Sequence, residues 1–131
     1  VRELFSDTDY GFTDKTETIL KPTTVLLYCW VPYRVEEIDL KLSRQSAAPG
    51  EVISYTIALH AAAPVSTHTL HLALIDPDGE LSKPYSRNIT ARTGKAEGLI
   101  PLALNDKKGT WKIELKDVTS GRKTETRFEV K

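Results

Sequence analysis

The sequence predicts an all-β chain: an immunoglobulin-like antiparallel β-sandwich preceded by a short β segment. Three observations carry that prediction. Apolar and polar residues alternate along most of the chain, as half-buried strands require. Turn formers recur about every 8 to 12 residues, the spacing of sandwich strands. No window of about 12 residues holds apolar positions at i, i+3, i+4 and i+7 without Gly, Pro or a β-branched cluster, so helices are not expected.

The elements follow in order. Val1–Phe5 reads as a short strand, and Ser6–Asp14 as a turn-rich loop with Asp7, Asp9, Gly11 and Asp14. Glu17–Leu20 is a second short strand, closed by Lys21-Pro22. Val25–Val31 is the most apolar run and lacks alternation, so both faces are expected to be buried. From Val35 onward seven strands are expected, over 35–42, 52–59, 68–75, 84–91, 96–104, 110–117 and 122–130. Leu70, Leu72 and Leu74 share one face and fix register against a core. Asp76-Pro77-Asp78-Gly79 is a tight turn in which Pro presets φ and Gly takes the positive-φ position. Pro101 marks an edge strand or a bulge. Trp111 shares a face with Ile113 and Leu115, which reads as core. Two units result: residues 1–34, terminal strands of a preceding domain or a β extension, and residues 35–131, the sandwich.

Composition narrows the function classes. The 131 residues are 40% hydrophobic and 27% charged, enough for a folded core without staples. Lys and Arg number 18, as do Asp and Glu, and a zero net charge argues against a dedicated nucleic-acid binder. No apolar run approaches the roughly 18 residues of a membrane span. The single Cys29 excludes an internal disulfide and a multi-cysteine zinc site, and its apolar strand suggests an inert buried thiol. There is no methionine, so Val1 is not expected to be a translation start, and no signal peptide is visible. An excised piece of a longer chain is the expected origin.

Few residues suggest chemistry. Asp7, Asp9 and Asp14 imitate a calcium loop, but Gly11 falls at position 5 and Thr18 at position 12, so a solvated turn is preferred and no metal is expected. Asp76 and Asp78 read as turn residues. His68 and His71 lie three apart on one strand and point to opposite faces, while His60 ends the preceding strand, within reach across a ladder. These read as scattered histidines rather than a site. A glycosidase needs two carboxyl groups held across a cleft, and no spacing here selects a pair. Asn88-Ile89-Thr90 is an acceptor sequon that reads as chance. No catalytic residue and no cofactor is expected. Aromatics matter most for binding, since sugar rings stack on exposed flat side chains. Trp30, Tyr33 and Tyr85 are the candidate carbohydrate-binding residues.

Several landmarks carry a resemblance. Pro49-Gly50-Glu51-Val52, Ile75-Asp76-Pro77-Asp78-Gly79 and Gly109-Thr110-Trp111-Lys112-Ile113 resemble the ordered landmarks of macroglobulin-type and related bacterial β-sandwich modules. Pro32-Tyr33-Arg34-Val35, Tyr85-Ser86-Arg87-Asn88, Ile100–Asp106 and Asp117–Gly121 are similar to the carboxy-terminal sandwich region of large bacterial β-galactosidase-like glycoside hydrolases. The resemblance implies a non-catalytic accessory domain of a large, exported, polysaccharide-degrading protein, located in the periplasm or outside the cell. It also implies that Arg2–Val31 ends a preceding sandwich. The expected partners are other domains of the parent chain. The alternatives are a carbohydrate-binding module for polysaccharide and a protein-interaction or adhesion module. Nucleic acid is not an expected partner.

Overall fold

The computed structural model describes residues 1–131 and contains strands and no helix. Eleven strands form: β1 (Arg2–Glu3), β2 (Thr8–Asp9), β3 (Tyr28–Cys29), β4 (Val35–Leu42), β5 (Ser46–Ala47), β6 (Val52–Ala61), β7 (His68–Ile75), β8 (Arg87–Ala91), β9 (Lys95–Pro101), β10 (Gly109–Asp117) and β11 (Lys123–Val130). Three sheets result, in the orders β2-β1-β3, β5-β11-β10-β7-β8 and β4-β6-β9. The last two face each other as the sandwich, and every long strand pair is antiparallel. The two-residue β5 joins β11 in the one parallel pair. All seven expected sandwich strands are present, 35–42 and 68–75 with the expected ends and the other five with shifted ends.

The core follows strand parity. Ile53, Tyr55, Ile57 and Leu59 of β6 face Leu70, Leu72 and Leu74 of β7 and Trp111, Ile113 and Leu115 of β10, all buried. Val35 and Ile38 of β4 are both buried although three residues apart, a spacing that puts side chains on opposite faces of a regular strand. The pairing with β6 shifts between Val35 and Glu37, and this bulge returns both side chains to the core. Trp111 stacks on Phe128 with ring centroids 6.3 Å apart, and its indole N–H donates to the Lys107 carbonyl at 2.9 Å. Pro101 ends β9, an edge strand, where its missing N–H costs no ladder bond. Opposite Tyr55 on that strand sits Gly98, and a Cβ there would lie 2.3 Å from the Tyr55 hydroxyl oxygen. The Arg87 guanidinium reaches across from β8 to this hydroxyl at 3.2 Å and also to the Leu99 carbonyl, tying one sheet to the other.

The segment before the sandwich departs from expectation. Glu17–Leu20 forms no strand, and Ile19 and Leu20 are exposed. Within Val25–Val31 only Tyr28 and Cys29 pair, and Val25, Leu27 and Trp30 are exposed. The run was expected to be buried on both faces. It is not: β3 pairs with β1 over two residues only, Leu26, Tyr28, Cys29 and Val31 are half-buried, and the other three side chains lie open to solvent. Cys29 is accordingly half-buried.

Glu3 holds this small sheet together. Its side chain is buried, and its carboxylate accepts the N–H groups of Phe5 at 3.1 Å, Ser6 at 2.6 Å and Leu27 at 3.2 Å. These bonds, led by those from Ser6, lower its pKa to about 2.

Candidate functional site

The three candidate aromatics lie in different surroundings, and no ring contact joins any two of them. Trp30 is 54% exposed and belongs to an aromatic run. Its ring lies 5.5 Å from Tyr28, which lies 6.0 Å from Tyr10, with interplanar angles of 46° and 48°. Trp30 follows Tyr28 by two residues and so falls on the same face of the chain. Tyr10 arrives from the loop after β2, a neighbour that sequence spacing does not reveal.

Tyr33 is buried and offers no open ring face. Its hydroxyl accepts the Ser66 N–H at 2.7 Å and lies 2.8 Å from His68 Nε2. Tyr85 is half-buried, edge-on to Trp111 at 5.8 Å, and its hydroxyl donates to the Asp106 carboxylate. Burial, then that bond, raises the Tyr85 pKa above its ordinary value. Its hydroxyl also accepts the Ala103 N–H at 2.9 Å, so Tyr85 fastens the loop after β9.

The buried polar centre of the sandwich was not anticipated. His68 and Asp117 are 1% and 0% exposed, and His68 Nδ1 lies 3.0 Å from both Asp117 carboxylate oxygens. Strand parity carried the signal. His68 continues the face of Leu70, Leu72 and Leu74, and Asp117 continues the face of Trp111, Ile113 and Leu115. Antiparallel pairing of β7 with β10 brings the two strand ends together. Asp117 also accepts the N–H groups of Thr119 at 3.1 Å and Ser120 at 3.2 Å and the Ser120 hydroxyl. Burial raises its pKa, but the bonds from His68 and Ser120 prevail and the net shift is downward.

A Ser66–Tyr33–His68–Asp117 chain of hydrogen bonds thus runs from surface to core. It differs from a hydrolytic triad in two ways: Ser66 touches Tyr33 rather than the imidazole, and the His–Asp pair is sealed from solvent. Its contacts hold a turn. Asp117 sets the turn Val118–Gly121, and the Ser120 carbonyl in that turn accepts Arg2 Nη1 at 3.2 Å. The Arg2 guanidinium lies against Gly121, where a Cβ would sit 2.1 Å from its Cζ. The buried pair therefore shapes the seat on which the first strand docks.

The other candidates are occupied by ordinary contacts. The Asp7 carboxylate pairs with Arg2 at 2.6 Å and Lys116 at 2.8 Å, a second tie between segment and sandwich. Lys116, then Arg2, lowers its pKa to about 2. Asp76 takes the N–H groups of Asp78 and Glu80 within its turn, and Lys107 bridges Asp76 and Asp78. The bond from Lys107 leads the lowering of the Asp76 pKa. His60 does not approach the other histidines, since β6 and β7 belong to different sheets; it lies 3.5 Å from Asp39. His71 is exposed and bonds Asn88 at 2.8 Å. No helix is long and apolar enough to cross a membrane.

No protein-family model matches the chain, and no curated protein sequence matches it. Solved structures do resemble it. An alkylpurine DNA glycosylase of Pseudomonas fluorescens, bound to DNA containing an abasic-site analogue, superposes with a TM-score of 0.50 at 13% identity. That match covers 72% of this chain and 30% of the glycosylase. A β-glucosidase of Erythrobacter marinus gives 0.48 at 12% identity, over 72% of this chain and 15% of the enzyme. The CARDB domain of a Pyrococcus furiosus protein, in complex with di-metal ions, gives 0.49 at 9% identity, over 87% of this chain and all of that domain. The chain thus spans a minor part of both enzymes. At these identities the likeness concerns the fold alone, a β-sandwich.

Proposed function

We propose that this chain is a non-catalytic β-sandwich module that packs against, and orients, a neighbouring domain of a larger polysaccharide-degrading protein exported by a bacterium. One observation carries the reading. Of the twelve large hydrophobic side chains left exposed, eight lie in the first 30 residues: Phe5, Tyr10, Phe12, Ile19, Leu20, Val25, Leu27 and Trp30. Apolar surface concentrated in this way suits a contact with another protein layer. Sealing of the His68–Asp117 pair supports the absence of catalysis, since no substrate reaches it. The parent and its export rest on the sequence landmarks, which resemble those of glycoside-hydrolase accessory sandwiches.

The test is made in the full-length parent. Deleting residues 1–131 is expected to lower its melting temperature or disperse its oligomer while leaving the chemistry of turnover unchanged, and Leu27→Ser with Trp30→Ser should reproduce part of that loss. Unchanged stability and oligomeric state after deletion would overturn the reading.

The aromatic run supports a second reading, binding of a polysaccharide by Trp30 with Tyr28 and Tyr10 beside it. Affinity electrophoresis through gels of plant and algal polysaccharides decides it. Retardation lost in Trp30→Ala would put this reading first, and no retardation on any polymer would remove it.

A further inference from the structure

A crevice of about 390 Å³ opens between the small N-terminal sheet and the sandwich, within the range of small-molecule sites. Three of the seven arginines of the chain line it, Arg2, Arg34 and Arg122, against one carboxylate, Asp9. Asp7 neutralises Arg2, which leaves Arg34 and Arg122 against Asp9, a local excess of one positive charge in a protein of zero net charge. The Asp9 carboxylate is already occupied by the Gly11 N–H at 2.8 Å.

The arginines are held differently. Arg2 is 11% exposed, fixed by Asp7 and the Ser120 carbonyl, and its buried Nε has no hydrogen-bond partner. Arg122 spends its Nε on the Val35 carbonyl at 3.0 Å, which leaves the terminal nitrogens of an exposed guanidinium without an acid. Arg34 is exposed and pairs with no carboxylate. Val31, half-buried, and Phe12, exposed, supply an apolar wall. Guanidinium groups present planar forks that match carboxylate and phosphate oxygens.

We infer that this crevice is an oxyanion site, taking a carboxylate or phosphate group carried on a body about the size of one sugar ring. Arg34 and Arg122 supply the unpaired donors, Arg2, already paired with Asp7, is a rigid wall, and Val31 and Phe12 contact the body. The inference does not rest on the packing role: it uses the arginines between segment and sandwich and shares only Phe12 with the exposed apolar set.

The chain is titrated at fixed ionic strength with glucuronate, glucose 6-phosphate, inorganic phosphate and glucose, following the amide resonances of Arg34 and Thr119–Arg122. Saturable shifts are expected with at least one sugar anion and none with glucose. Glucuronate alone identifies a carboxylate; glucose 6-phosphate alone identifies a phosphate; both identify a site for either. Arg34→Gln is expected to weaken binding by at least about tenfold, the scale of a lost charged hydrogen bond. Its side chain braces nothing, so an unchanged melting temperature confirms the fold. Arg92→Gln, an exposed arginine outside the crevice, should leave affinity unchanged. No saturation with either sugar anion would overturn the inference, even if inorganic phosphate binds. So would equal binding of glucose, unaltered affinity in Arg34→Gln, or equal weakening in Arg92→Gln.

Discussion

Strand β7 and the run Val25–Val31 make an instructive pair. The run is the more hydrophobic, yet Val25 is 73% exposed and Leu27 50% exposed. In β7 His68, Thr69 and His71 interrupt the apolar residues, yet Leu70, Leu72 and Leu74 are all 0% exposed. The difference lies in what faces each strand. β7 is an interior strand of a five-stranded sheet with a second sheet across the core, whereas β3 pairs over two residues at the edge of a small sheet of two-residue strands. Hydrophobicity supplies the driving force for burial, but only a second layer can realise it.

The same contrast runs through the whole chain. All nineteen buried hydrophobic residues lie at or beyond Tyr33, and Glu3 alone is buried before it. Each region nevertheless turns on one buried carboxylate: Asp117 in the sandwich, Glu3 in the segment. The two are linked, since Asp117 shapes the turn that seats Arg2, the neighbour of Glu3.

The largest expected effect breaks the sandwich side. Asp117→Ala leaves His68 buried without its partner and frees the turn after β10. A loss of about 3–5 kcal/mol is expected, as for a broken buried pair, read from urea denaturation. A loss under about 1 kcal/mol would mean that water or a rearranged turn replaces the carboxylate.

Next comes the seam. Gly121→Ala places a Cβ against the Arg2 guanidinium at a backbone φ of +72°. A loss of about 1–2 kcal/mol is expected from the backbone alone. Trp30 emission, recorded in a Trp111→Phe background, should report release of the segment before the sandwich unfolds. Coincident transitions would show that the two regions form one cooperative unit.

Acid should separate the regions. The folded pKa of Glu3 is lowered from 4.5 to about 2, so its contribution is complete above about pH 4.5 and disappears as pH falls towards 2. Asp117 is lowered from 3.8, so its contribution is complete above that value and is also lost on acidification. Stability should therefore fall with decreasing pH below about 4.5. Glu3→Gln should reduce the acid-dependent part of the Trp30 signal, the remainder coming from Asp7, and Asp117→Asn should reduce that of global unfolding. A Glu3→Gln variant with an unaltered Trp30 titration would show that another group controls the segment.

The smallest effect sharpens the comparison. Ile19→Ser with Leu20→Ser removes two exposed side chains and should change the stability of the isolated chain by no more than about 0.5 kcal/mol. The matching change in the core, Leu72→Ala, should cost about 2–5 kcal/mol. A large loss in the first variant would show that these residues already pack within the isolated chain.

Much of this molecule was decided by local pattern. Alternation and turn chemistry locate the seven sandwich strands, place Trp111 on the core and put Pro101 at an edge, because each depends on neighbours within a few residues. The same parity already aligned His68 and Asp117 with apolar faces, although the residue types suggested otherwise. Tertiary structure decided the rest. That His68 meets Asp117, that Tyr33 is inside, that three arginines converge on one crevice and that Val25–Val31 lies open all depend on which strands pair and which layers face. These contacts join residues up to 118 positions apart, as between Arg2 and Ser120, and no local periodicity encodes them.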